Sequence, residues 1–141
     1  MSTQPPFMIP AEVCGPLEQI AVPKTFSANT VLFRRGDPVR GAYLIRRGTV
    51  ALSLPNATEP PRVVGPGAVL GIPACMCDRP YSLTAETLED IEVGFIPRDE
   101  FVAAVKQHAD LCFAVIESLA DALSDTRRQA SALLGQFATL G

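Results

Sequence analysis

The chain has 141 residues, 48% of them apolar and 19% charged, with a formal net charge of −3. That length suits one domain with a sizeable core, and the acidic balance excludes a grip on nucleic acid by bulk electrostatics. No apolar run approaches the ~20 residues that cross a bilayer, so a membrane-spanning helix is excluded as well.

Residues 1–10 are polar and proline-rich and read as a loose arm ahead of one domain over 11–141. Met1-Ser2-Thr3-Gln4-Pro5-Pro6 has neither a basic n-region nor a long apolar h-region, so no secretory signal is expected. The cytoplasm is the expected compartment, with the four cysteines as reduced thiols. Ala11 to Ala21 can hold a short helix broken near Gly15-Pro16, with Leu17 and Ile20 on its buried side. Val22 to Phe26 reads as a short strand and Asn29 as a turn residue.

Val31 to Val50 is the most ordered stretch of the pattern. Val31-Leu32-Phe33 and Tyr43-Leu44-Ile45 are apolar runs, and a third begins at Thr49 and reaches Leu54. Gly36, Gly41 and Gly48 punctuate them, and Pro38 cannot donate to a ladder. Short strands at regular glycine turns point to a small antiparallel barrel or sandwich. Thirteen prolines and ten glycines suit such a turn-rich β protein.

Residues 55–61 form a polar, proline-dense hairpin tip, with Arg62-Val63-Val64 as the return strand. Gly65-Pro66-Gly67 is a turn, and Ala68 to Gly71 a short apolar strand. Ile72 to Pro80 is too short for an ordinary helix, and one helical turn or an irregular loop is expected there. Tyr81 to Thr87 reads as a strand with Leu83 and Ala85 on one face. Ile91 to Ile96 is another, with Val93 and Phe95 opposite Glu92 and Gly94. Pro97 then sits near a helix start, where Asp99 and Glu100 favour the macrodipole. Phe101, Val102 and Val105 form the apolar face of a helix ending near Gln107-His108.

A long helix is expected over 110–137. Cys112, Ile116, Leu119, Leu123, Thr126, Ala130, Leu133 and Phe137 follow steps of four and three, a heptad seam. Leu111, Val115 and Ala122 lie on a neighbouring face that can pack on the β domain. A helix apolar on two faces needs two partners, and an identical helix from a second subunit is the economical second one. A homodimer through that seam is therefore expected.

The element order, with Leu32-Phe33, Gly36-Asp37, Gly41, Tyr43-Leu44-Ile45, Gly48, Val50, Gly67, Gly71, Val93 and Phe101, resembles the cyclic-nucleotide-binding domain of the catabolite activator protein (Crp/Fnr) family of bacterial regulators. The resemblance covers about Val22 to Leu134. It implies a mainly β fold: an antiparallel jelly-roll barrel flanked by an N-terminal helix and a long C-terminal dimerisation helix. It further implies signal transduction and transcription regulation without catalysis. The ligand would enter a glycine-opened short helix, the phosphate-binding cassette, and shift the long helix.

The sequence departs from that family in the cassette. Ile72 follows Gly71 where cyclic-nucleotide binders carry a glutamate for the ribose hydroxyl. Tyr81, followed by Ser82, stands where they carry the arginine that neutralises the cyclic phosphate, and a phenol cannot replace a guanidinium there. The resemblance therefore implies a small ligand other than cAMP or cGMP, or none. Its pocket would involve Gly71, Ile72, Pro73, Arg79, Tyr81 and Ser82, with Thr126 or Arg127 closing over it. The chain stops at Gly141 with no helix-turn-helix after the long helix; a sensor-only protein and an excised domain both fit.

Cys75-x-Cys77 is the sharpest chemical pair outside that pocket. It could begin a metal site or a redox switch, but a zinc site wants four ligands, and Cys14, His108 and Cys112 are scattered singly. Small apolar packing is the plainer reading of both thiols, and neither metal nor cofactor is expected. Glu86, Glu89 and Asp90 have no histidine or serine nearby and make no catalytic set. No enzyme is expected.

Overall fold

A computed structural model of the protein describes residues 9–53 and 60–119. After a 3₁₀ turn at Ala11–Val13 comes helix α1 (Gly15–Ile20), then strands β1 (Val22–Phe26), β2 (Val31–Phe33), β3 (Gly41–Arg47), β4 (Val50–Ser53), β5 (Arg62–Val64) and β6 (Val69–Leu70). Helix α2 (Ile72–Cys77) interrupts the strands, β7 (Thr84–Thr87) and β8 (Ile91–Pro97) follow, and α3 (Arg98–Gln107) leads into a last helix, α4, over 109–119. The strands form two four-stranded antiparallel sheets, ordered β1-β8-β3-β6 and β2-β7-β4-β5. Mainly β, with helices against one sheet, this is the expected jelly roll.

Strand β3 shows why the sheets stack as they do. Its first five residues are all buried, the mark of a strand covered on both faces. Tyr43 and Ile45 turn into the space between the sheets, among Phe33, Val50, Leu52, Leu70, Ile91 and Val93. Ala42 and Leu44 turn the other way, onto a helical layer of Leu17, Ile72, Phe101, Leu111 and Val115. The two-residue period of the strand thus feeds two cores at once. Gly41 opens β3 because nothing larger fits: a Cβ there would overlap the Ile96 carbonyl oxygen of β8.

Most elements fall where the sequence places them. The strand expected from Tyr81 instead begins at Thr84. The Tyr81 backbone is engaged elsewhere: its N–H donates to the Asp37 carbonyl at 3.0 Å, and its carbonyl accepts from Gly36 N–H at 2.8 Å. Residues 72–77 form a true short helix rather than one turn. In α3 the buried face is Phe101, Ala104 and Val105, with Val102 only half-buried, because a 3.6-residue period turns position 102 off the stripe.

The α3–α4 junction is made by His108, whose N–H donates to the Ala104 carbonyl and whose carbonyl accepts from Cys112 N–H. In α4, Leu111 and Val115 face the domain as expected, joined by Ala114 and Ser118. Cys112 and Leu119 of the seam are partly buried against the same core, while Ile116 is 54% exposed. Phe113, which the heptad reading passes over, is 68% exposed beside it. Leu123, Thr126, Arg127, Ala130, Leu133 and Phe137 lie outside the described residues, as do residues 1–8 and residues 54–59, which include most of the hairpin tip expected at 55–61.

Candidate functional site

The cassette opens at Gly71, whose φ of +91° is the left-handed conformation that suits glycine. A Cβ there would sit 3.1 Å from both the Gly41 carbonyl oxygen and Tyr81 Cε1. Gly71 accepts the first helical bond, from Cys75 N–H at 3.0 Å. At the other end Asp78, with φ of +50°, donates its N–H to the Ala74 carbonyl. Arg79 N–H reaches that same carbonyl at 3.1 Å. Pro80 then delivers Tyr81 back across the start of β3.

Tyr81 is the centre of the site. It is 3% exposed, and its hydroxyl donates to the Gly41 carbonyl at 2.7 Å. The same oxygen accepts N–H bonds from Arg40 and Gly41, each at 3.2 Å. A phenol has one proton to give and two lone pairs, so all its capacity is used within the chain. Its ring stacks on Phe33 at a centroid separation of 4.0 Å. Phe33 in turn leans on Tyr43, and Tyr43 meets the edge of Phe95, an aromatic row running through the barrel.

A cavity of about 200 Å³ lies beside this row. Leu32, Phe33, Pro38, Tyr43 and Tyr81 supply its apolar and aromatic lining, and Asp37 and Arg40 its charges. Burial raises the Tyr43 phenol above its ordinary range, with Tyr81 adding to the rise and the Arg40 charge opposing it. Of the residues expected to form a pocket, Tyr81 lines this cavity. Ile72 is 1% exposed and packs among Leu17, Phe101 and Val105 in the helical core. Arg79 and Ser82 are exposed and outside the lining. Gly71 shapes the site from behind by letting Tyr81 close against it.

Sequence reasoning missed Asp37 and Arg40 as cavity residues. Their breaker cluster reads as a turn, and only the approach of Tyr81, some forty positions on, turns that hairpin into a cavity wall.

Arg98 ties the cassette to the helices. Its Nε donates to the Cys75 carbonyl at 2.9 Å and lies 3.6 Å from an Asp78 carboxylate oxygen. Its backbone N–H donates to the Arg40 carbonyl at 3.0 Å. One residue at the start of α3 therefore holds both the end of α2 and the cavity's Arg40 segment.

The two cysteines of α2 part company. Cys75 is fully buried and burial pushes its thiol up to about 12, the Arg98 charge opposing the rise, whereas Cys77 is exposed. Cys14 is buried too, its S–H directed at the Ile9 carbonyl, and burial and nearby Glu18 and Glu12 raise its thiol. No group of three or more metal-ligating side chains exists among the described residues. Nor is any described helix long and apolar enough to cross a membrane.

A jelly roll whose strands are interrupted by a glycine-opened short helix defines the fold class of this chain. Residues 23–108 match the sequence profile described as the cyclic nucleotide-binding domain, and the chain belongs to that family. Solved structures share the fold. One, from a cyclic-GMP-dependent signalling pathway that regulates bacterial phytopathogenesis, superposes with a TM-score of 0.74 at 17% identity, over 84% of this chain and 96% of the other. The Thermus thermophilus catabolite activator protein gives 0.66 at 21% identity, over 92% of this chain and 60% of its own. A Ruegeria pomeroyi candidate cyclic-nucleotide-binding protein gives 0.60 at 21% identity over 88% of this chain, which spans 56% of that protein. A search of curated protein sequences returned no match.

Proposed function

We propose that this domain is a non-catalytic regulatory sensor of the cytoplasm whose cassette does not take cAMP or cGMP. The observation that carries this reading is the bonding of Tyr81. A cyclic phosphate needs a cation and free donors, whereas the residue at the family's arginine position is a neutral phenol bonded at all its sites to Arg40 and Gly41. Ile72, at the position of the ribose-binding glutamate, is committed to the core. Arg79, the cation within the cassette segment, is exposed and outside the cavity lining, where the cation is Arg40.

Signal output runs through the helices and a second copy of the chain. Ile116 of the seam and Phe113 beside it present an apolar face on α4, which supports a homodimer through α4, although Cys112 and Leu119 of the seam pack on the domain's own core. Arg98 supports a mechanical link between cassette and α3. A ligand favouring one arrangement of these parts shifts the population toward it.

The test is isothermal titration calorimetry of the full chain against cAMP, cGMP and cyclic dinucleotides, with no saturable heat expected. Tight cAMP binding that Arg79→Ala abolishes would overturn the reading of the cassette.

A further inference from the structure

Three parts of the chain that are distant in sequence meet in a closed ring of bonds. The Tyr81 hydroxyl accepts from Arg40 N–H at 3.2 Å, and the Arg40 carbonyl accepts from Arg98 N–H at 3.0 Å. The Arg98 side chain continues the path: its Nε donates to the Cys75 carbonyl at 2.9 Å and lies 3.6 Å from an Asp78 carboxylate oxygen. From Cys75 the backbone itself runs through Asp78, Arg79 and Pro80 back to Tyr81. The end of α2, the start of β3 and the start of α3 are thereby joined in one circuit.

Each join shares a residue with the next. Arg40 gives its N–H to one and its carbonyl to another. Arg98 gives its backbone N–H to the Arg40 segment and its guanidinium to the end of α2. Tyr81 is pinned beyond its hydroxyl, by backbone bonds to Gly36 and Asp37 and by the stack on Phe33. Gly71 closes one side, where a Cβ would sit 3.1 Å from both Gly41 O and Tyr81 Cε1. Groups bonded in one network respond together rather than singly. No join of this ring lets go without moving a residue that another join holds.

We propose that this ring is a clamp, through which the cassette, the β2–β3 turn and the start of α3 open as one unit smaller than the whole domain. The cassette is then no free lid. Opening it withdraws Tyr81 from Arg40 and Arg40 from Arg98 in a single event, so a signal received at the cassette reaches α3 in that same step. The His108 backbone, bonded to both α3 and α4, carries it onward. The clamp rests on the regulatory reading given above and supplies the regulation of that same site. Titration with cyclic nucleotides tests that reading, whereas exchange in the unliganded chain tests the clamp, so the two failures are distinct.

The test is native-state hydrogen exchange of the full chain without ligand, read amide by amide by NMR. Four amides report the ring: Arg40 and Gly41 on the Tyr81 hydroxyl, Arg98 on the Arg40 carbonyl, and Arg79 on the Ala74 carbonyl of α2. In the wild type they share one opening constant, larger than that of Ile45 N–H, which is bonded to the Ala68 carbonyl within the barrel. Tyr81→Phe keeps the stacked ring and removes the hydroxyl; Arg98→Gln removes the guanidinium and leaves the hydroxyl in place. Each variant raises all four opening constants together, by roughly tenfold or more. In Tyr81→Phe, Arg79 and Arg98 respond although their own acceptors are untouched; in Arg98→Gln, Arg40 and Gly41 do. A Tyr81→Phe effect confined to Arg40 and Gly41, or an Arg98→Gln effect that spares them, overturns the clamp. So does a wild type in which the four amides open separately, or only at the rate of Ile45 with the whole domain, a measurement that needs no variant to fold.

Discussion

Tyr81→Phe removes one oxygen and leaves the ring stacked on Phe33, so it isolates what the hydroxyl does. The oxygen makes one short bond, 2.7 Å to the Gly41 carbonyl, and two long ones, 3.2 Å from Arg40 and Gly41 N–H. A well-formed net hydrogen bond is worth about 1 kcal/mol and a long one roughly half that. The sum is about 2 kcal/mol, and the Gly41 groups are left in a buried position where water reaches them poorly. Urea unfolding followed by far-ultraviolet circular dichroism measures the loss. The midpoint falls while the slope with urea stays constant, since the same surface is exposed on unfolding. A variant within about 0.5 kcal/mol of wild type, in the range of ordinary surface substitutions, would refute the claim that the phenol latches the cassette to β3.

Gly71→Ala forces a side chain into left-handed backbone and places Cβ 3.1 Å from Gly41 O and Tyr81 Cε1. A loss of about 2 kcal/mol is expected in the same urea assay, and wild-type stability would refute the close-approach account. The raised Cys75 thiol makes stability fall in alkali. Between pH 9.0 and about 12 the unfolded chain loses this proton and the native chain keeps it. The slope is therefore negative, at most about 1.4 kcal/mol per pH unit. Cys75→Ala should make that decline shallower, and an unchanged pH profile counts against a buried, protonated Cys75. Phe113→Asp with Ile116→Asp should convert a dimer to a monomer in sedimentation velocity without lowering the unfolding midpoint of the monomeric fold, since both side chains are exposed. Sedimentation identical to wild type would remove this face from the dimer proposal.

The barrel was legible because its punctuation is local. Glycines at 36, 41 and 48 separate apolar runs, and the structure places β2 before Gly36, β3 from Gly41 to Arg47 and β4 after Gly48. The cavity was not legible, because its walls come from one turn and from a tyrosine far along the chain. Alternation at Tyr81, Leu83 and Ala85 reads as strand, but the Tyr81 backbone is drawn to Gly36 and Asp37 instead. The family resemblance implies a ligand position for Ile72, yet the structure packs this branched apolar side chain in the core with α1 and α3. Phe113 escaped notice because a seam traced in steps of four and three passes between neighbours on the same helix.

The aromatic row has a spectroscopic consequence. The chain contains two tyrosines and no tryptophan, and both tyrosines line the cavity. Native ultraviolet emission therefore originates at the site itself, with no distant fluorophore to dilute it. Occupancy beside Phe33 changes the surroundings of both emitters together, so the unlabelled protein carries its own optical gauge of cavity filling. Tyr43→Phe and Tyr81→Phe divide that signal between its two sources.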